Sequence, residues 1–150
     1  LDTIVRGSIA GLIATVLYGI VNWVLYITDI LPSTAVHYAA VLITPPGTSL
    51  TTMPMISGII AFMIAGTFVG VILSYVIRWT GDDYAWLKGL GIGAVLWPIH
   101  TAILPGLIAP HLYQTLPPTM VLASFVLSSL WGVTVGFILQ YLARKEDIWV

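Results

Sequence analysis

The chain has 150 residues, of which 59% are hydrophobic and 7% charged, and its net charge is −1. Roughly a quarter of a soluble domain's residues are charged, so water is not the solvent for most of this surface, and there is no basic field for nucleic acid. The absence of cysteine excludes disulfides, thiolate metal sites and cysteine nucleophiles.

Crossing ~30 Å of hydrocarbon takes about 20 apolar residues in a helix, and four stretches meet that requirement. In chain order they are Gly7–Thr28, between Arg6 and Asp29; Met55–Ile77, between Pro54 and Arg78; Trp86–Leu104, stopping at Pro105; and Thr119–Ala143, ending at Arg144. Backbone polar groups left unpaired in lipid are costly, so continuous apolar runs of this length are expected as helices. The expected fold class is an all-α integral membrane protein, a single four-helix bundle over residues 1–150. Leu1 is not a methionine, so residues are expected upstream of it. The first run is too long for a signal-peptide core and is read as a retained helix.

Between the first two spans, Ser33–Ile43 is apolar but too short to cross. It is expected as a short interfacial or re-entrant helix capped by Ser33. Between the last two, Pro105–Pro118 also holds Pro110 and Pro117, so an extended or kinked cover is expected there.

Arg6, Arg78, Lys88, Arg144 and Lys145 all fall on one side of this arrangement and no lysine or arginine on the other. The positive-inside rule then puts both termini in the cytoplasm. Trp79, Tyr84, Trp86 and Tyr141 sit near the cationic ends, as interfacial aromatics do.

The second and fourth spans end alike. Gly66–Arg78 and Gly132–Arg144 share the frame G-x-x-V-G-x-I-L-x-Y-x-x-R without gaps, and Ala14–Val21 resembles Gly93–His100 more weakly. The chain therefore reads as two copies of a helix hairpin, parallel repeats about an axis along the membrane normal.

Each span also carries a G-x-x-x-G spacing: Gly7/Gly11, Gly66/Gly70, Gly89/Gly93 and Gly132/Gly136. Such pairs put small residues on one helix face and let backbones approach closely. All four lie toward the cationic ends, whereas Tyr18, Asn22, Trp97, Pro98 and His100 lie toward the other. One reading is a bundle tight inside and wedged open outside; the plainer one is helix packing alone. Tyr18, Asn22, Trp97 and His100 are the candidate pocket or polar core, with interhelical hydrogen bonding as the simpler role.

His37, His100 and His111 fall on the outer side and are candidate ligands for Zn²⁺ or Cu²⁺, or for pH sensing. Their spacing matches no ligand motif, and interfacial histidines with backbone partners are the simpler reading. No bound cofactor is expected. Catalytic frames are missing: no nucleophile elbow, no H-E-x-x-H and no phosphate-binding loop. No charge sits deep in a span, which argues against an ion-coupled pump.

The pattern W-L-K-G-x-x-x-G-A-V-L-W (Trp86–Trp97), a proline-rich loop and L-W-G-V-T-V-G-F-I-L-Q-Y (Leu130–Tyr141) resembles the YqhR-like family of small four-span membrane proteins of Gram-positive bacteria. The resemblance implies a four-helix protein of a bacterial plasma membrane, without an assigned activity or catalytic residues. The leading expectation is a non-enzymatic structural or accessory bundle that self-associates, with lipid and a membrane-protein partner or second copy as its contacts. The alternatives are a channel or small-solute transporter with an outward vestibule, and a histidine-based metal or pH sensor.

Overall fold

The computed structural model describes residues 2–108 and 116–147. Among them it is all-helical: α1 (Thr3–Ile27), α2 (Ala35–Ile43), α3 (Thr52–Thr80), α4 (Ala85–Pro98), a π-helical turn (Ile99–Ile103), α5 (Leu104–Ile108) and α6 (Pro118–Asp147). The π turn joins α4 and α5 into one rod, so four helices are long and apolar enough to cross a membrane: Thr3–Ile27, Thr52–Thr80, Ala85–Ile108 and Pro118–Lys145. Large apolar side chains cover their outward faces, Phe68 (64% exposed) and Leu122 (66%) among them.

The helices pair as two antiparallel hairpins, α1 with α3 and α4 with α6. The glycine spacings explain the pairing. A Cβ built on Gly11 would stand 2.7 Å from the Gly66 carbonyl oxygen and 3.0 Å from Gly70 Cα. One built on Gly89 would strike the Gly132 carbonyl, and one on Gly136 would strike Ala85. Each seam therefore brings backbone against backbone with no room for a side chain. The two seams share a register, Gly11 lying between Gly66 and Gly70 as Gly89 lies between Gly132 and Gly136. That register is displaced by one residue from the alignment of Ala14 with Gly93, which would place Leu90 opposite Gly11.

The hairpins join through α1 and α6, while α3 and α4 barely touch. Ala10, Ala14, Leu73, Ile77, Ala85, Trp131, Val135 and Leu139 make the core, concentrated toward the end that carries Arg6, Arg78 and Lys88. Trp131 Nε1 donates to Thr15 Oγ1 (3.0 Å), and Thr15 Oγ1 donates to the Gly11 carbonyl (2.6 Å), pinning one hairpin to the other at mid-depth. At the cationic end, Lys88 Nζ caps the last carbonyls of α3, Thr80 (3.0 Å) and Gly81 (2.7 Å). Gly81 there has φ +86°, a conformation in which a Cβ would be strained.

Two local expectations need correction. The α2 N-cap is Thr34 rather than Ser33: the Thr34 hydroxyl accepts from the His37 backbone N–H (3.2 Å), and the Thr34 N–H donates to His37 Nδ1 (3.3 Å). This reciprocal box satisfies two backbone donors at once, whereas Ser33 donates to Met120 Sδ (3.4 Å). The third span also does not stop at Pro105. It continues helically to Ile108, because widening to π geometry carries the chain across the proline. Residues 109–115 of the proline-rich connection lie outside the described residues.

Candidate functional site

Where α3 and α4 diverge, away from the cationic end, the bundle forms an open-sided cavity of about 370 Å³. Its floor is Thr15, Gly66, Ser128 and Trp131; its walls include Phe62, Val69 and Leu96; α2 lies over it with Tyr38, Leu42 and Ile43. A second, smaller compartment of about 60 Å³ adjoins it, lined by Asn22, Thr101, Val121 and Ser124 among others. Tyr18, Ala35, Tyr38 and His100 line both compartments.

The local chemistry explains why these residues meet. Asn22 is buried near the end of α1, and its Oδ1 accepts from the Ala35 N–H (2.6 Å) at the first residue of α2. The side chain therefore satisfies a first-turn N–H of the short helix, a role a buried amide fills at low cost only when paired. Ala40 then packs on Gly58 of α3, where a Cβ would stand 2.8 Å from the Ala40 Cβ. The short helix is thus clamped to both helices of the first hairpin.

Tyr38 reaches across to the second hairpin. In a π turn each carbonyl bonds the N–H five residues on, as Ile99 does with Leu104. The corresponding partner for His100 is Pro105, which has no N–H. The Tyr38 hydroxyl donates to that His100 carbonyl instead. Burial pushes the Tyr38 phenol up to about 12. Sequence reasoning missed Tyr38, although the Pro98/Pro105 pair signalled that some donor would be needed nearby.

His100 Nδ1 lies 2.7 Å from the Leu96 carbonyl. A carbonyl only accepts, so Nδ1 carries the proton, and in the neutral ring Nε2 is an acceptor. The hydroxyls of Thr101 and Ser124 donate to the carbonyls of Trp97 (2.5 Å) and Val121 (2.7 Å). Tyr18 meets Phe62 as a tilted ring pair with centroids 5.5 Å apart, and its hydroxyl makes no hydrogen bond among the described residues.

Of the four polar-core candidates, the structure brings together Tyr18, Asn22 and His100. Trp97 turns away, donating Nε1 to the Val121 carbonyl (2.9 Å) and meeting Phe125 edge-on at 5.3 Å. Among the histidines, His37 uses Nδ1 in the α2 cap and His100 uses Nδ1 on its own helix; His111 lies outside the described residues. Among the described residues no group of three or more His, Cys, Asp or Glu side chains could hold a metal ion. The glycine pairs Gly7/Gly11, Gly66/Gly70, Gly89/Gly93 and Gly132/Gly136 are all spent inside the chain, so these seams are not free to join a second copy.

No protein-family model, no curated protein and no solved structure matches this chain.

Proposed function

We propose that this chain is a multi-pass protein of a bacterial plasma membrane, with both termini cytoplasmic, that acts without catalysis by holding an apolar molecule drawn from the surrounding lipid. The observation that carries this reading is the cavity between α3 and α4, apolar on nearly all sides and closed beneath by Trp131 and Thr15. Ligand sites are typically preformed clefts of about 300–1,000 Å³ lined mainly by apolar groups with a few convergent polar ones. Below the floor, Ala14, Leu73 and Val135 are fully buried, which favours a dead-ended pocket over a polar path for ions or solutes. The one-sided cations support the cytoplasmic placement of both termini. The shared seam register supports descent of the two hairpins from one duplicated hairpin. Self-association remains part of the proposal, through apolar faces other than the glycine seams.

Native mass spectrometry of the chain released from lipid nanodiscs tests the reading. A retained apolar adduct is expected. Ala65→Phe, which projects a ring into the cavity from α3, should abolish it while circular dichroism is unchanged. An adduct equally abundant in the filled variant would place binding elsewhere and overturn the proposal.

A further inference from the structure

The two-compartment cavity also defines the head of the molecule it takes; this inference rests on the binding reading above. An apolar tail gains almost nothing by leaving lipid for an apolar pocket, since lipid tails are as apolar as leucine. Selection must therefore come from the few polar groups of the smaller compartment, Tyr18, Asn22, His100, Thr101 and Ser124 among them. Among the described residues its lining holds no lysine, arginine, aspartate or glutamate, so a carboxylate, phosphate or ammonium head would be buried without a counter-charge, which is strongly disfavoured. A volume of about 60 Å³ exceeds the roughly 10–15 Å³ that a single water needs, leaving room for a small head group.

The hydrogen-bonding capacity there is of both kinds. His100 Nε2 accepts, and the Thr101 and Ser124 oxygens keep acceptor capacity after donating to Trp97 and Val121. The Tyr18 hydroxyl is an uncommitted donor among the described residues, and Asn22 has donors left on Nδ2 while Oδ1 serves Ala35. A carbonyl head, acceptor only, would leave His100 Nε2 unpaired; a hydroxyl head satisfies both sides. From this juxtaposition we infer that the cavity is a site for a neutral, single-chain lipid ending in a hydroxyl. The chain lies against Phe62, Val69, Leu96 and Trp131, and the hydroxyl lies between Tyr18 and His100.

Trp131 in the cavity floor supplies a reporter. The full chain in phosphatidylcholine nanodiscs is titrated with mid-chain brominated hexadecanol, hexadecane and hexadecanoic acid, and the Trp131 contribution is taken as the difference from Trp131→Phe. Hexadecanol is expected to quench at a mole fraction about five-fold lower than hexadecane, the size expected for one membrane hydrogen bond. Unlabelled hexadecanol should relieve the quenching, which needs no variant at all. Tyr18→Phe, which keeps the ring on Phe62, should erase most of the preference. Equal quenching by alcohol and hydrocarbon, or a preference for the acid, would overturn the hydroxyl assignment while leaving the apolar pocket standing. No Trp131 quenching by any probe would remove the pocket reading as well.

Discussion

Substituting Gly70 with alanine should separate the seam from ordinary helix propensity. A Cβ at Gly70 would lie 2.5 Å from Gly11 Cα and 2.8 Å from Gly11 N, against an optimum near 3.5–4.0 Å for carbon pairs. Both atoms are backbone, so no rotamer change relieves the contact, and α1 and α3 must separate by about 1 Å. A gap of that size forfeits roughly a quarter to a half of each dispersion well along the seam, and overpacking of one methyl group typically costs about 1–3 kcal/mol. Helix propensity works the other way, favouring alanine over glycine by up to ~1 kcal/mol. Steric cost wins at Gly70, with an expected net loss of about 1–2 kcal/mol. At Gly91 a Cβ would meet nothing within 4 Å, so only propensity acts and Gly91→Ala should be neutral or slightly stabilising. Reversible unfolding in mixed micelles, driven by increasing dodecyl sulfate fraction and followed by tryptophan fluorescence, reads both variants on one scale. If Gly70→Ala proves as stable as Gly91→Ala, the glycine seam does not hold the hairpin together.

Tyr38→Phe should leave the His100 carbonyl without its donor and cost about 0.6–1.7 kcal/mol, visible as faster amide exchange around Ile99–Leu104; unchanged exchange would refute the π-turn role. The Tyr38 phenol, raised to about 12, stays protonated in the folded protein after the unfolded chain has begun to ionise near pH 10. Its contribution is therefore complete below pH 10 and is lost as pH rises through 12. The tyrosinate absorbance difference between the native chain and Tyr38→Phe should show no titration near pH 10. Asn22→Leu should leave the Ala35 N–H of α2 without its acceptor for about 1–3 kcal/mol and speed exchange of that amide, while the middle of α1 stays protected. Because the chain has no cysteine, Asp83→Cys and Ser49→Cys form a clean topology pair. An impermeant thiol reagent outside intact cells should label the second and spare the first, and the reverse would invert the bundle.

Much of the architecture was legible along the chain because lipid imposes it. Continuous apolar runs longer than a bilayer's core have no other way to satisfy their backbones, so the four long helices could be placed from composition alone. The G-x-x-x-G spacings were equally readable as contact faces, since four-residue spacing fixes which side of a helix is small. What they touch was not, because spacing carries no partner: Gly11 meets Gly66 and Gly70, and Gly89 meets Gly132, only through the folded hairpins. Tyr18, Asn22 and His100 stood out as polar residues in apolar runs, yet Trp97 looked the same and turns to Val121 instead. Tyr38 was invisible for the opposite reason. Its importance comes from a carbonyl 62 positions away, released by the missing N–H of Pro105.

Local chemistry thus dictates the helices, their lengths and the small faces they carry, because each depends on residues within a few turns. The cavity arises where α3 and α4 part, from the way two tight hairpins meet along α1 and α6. That space belongs to no single segment, so no local pattern encodes it.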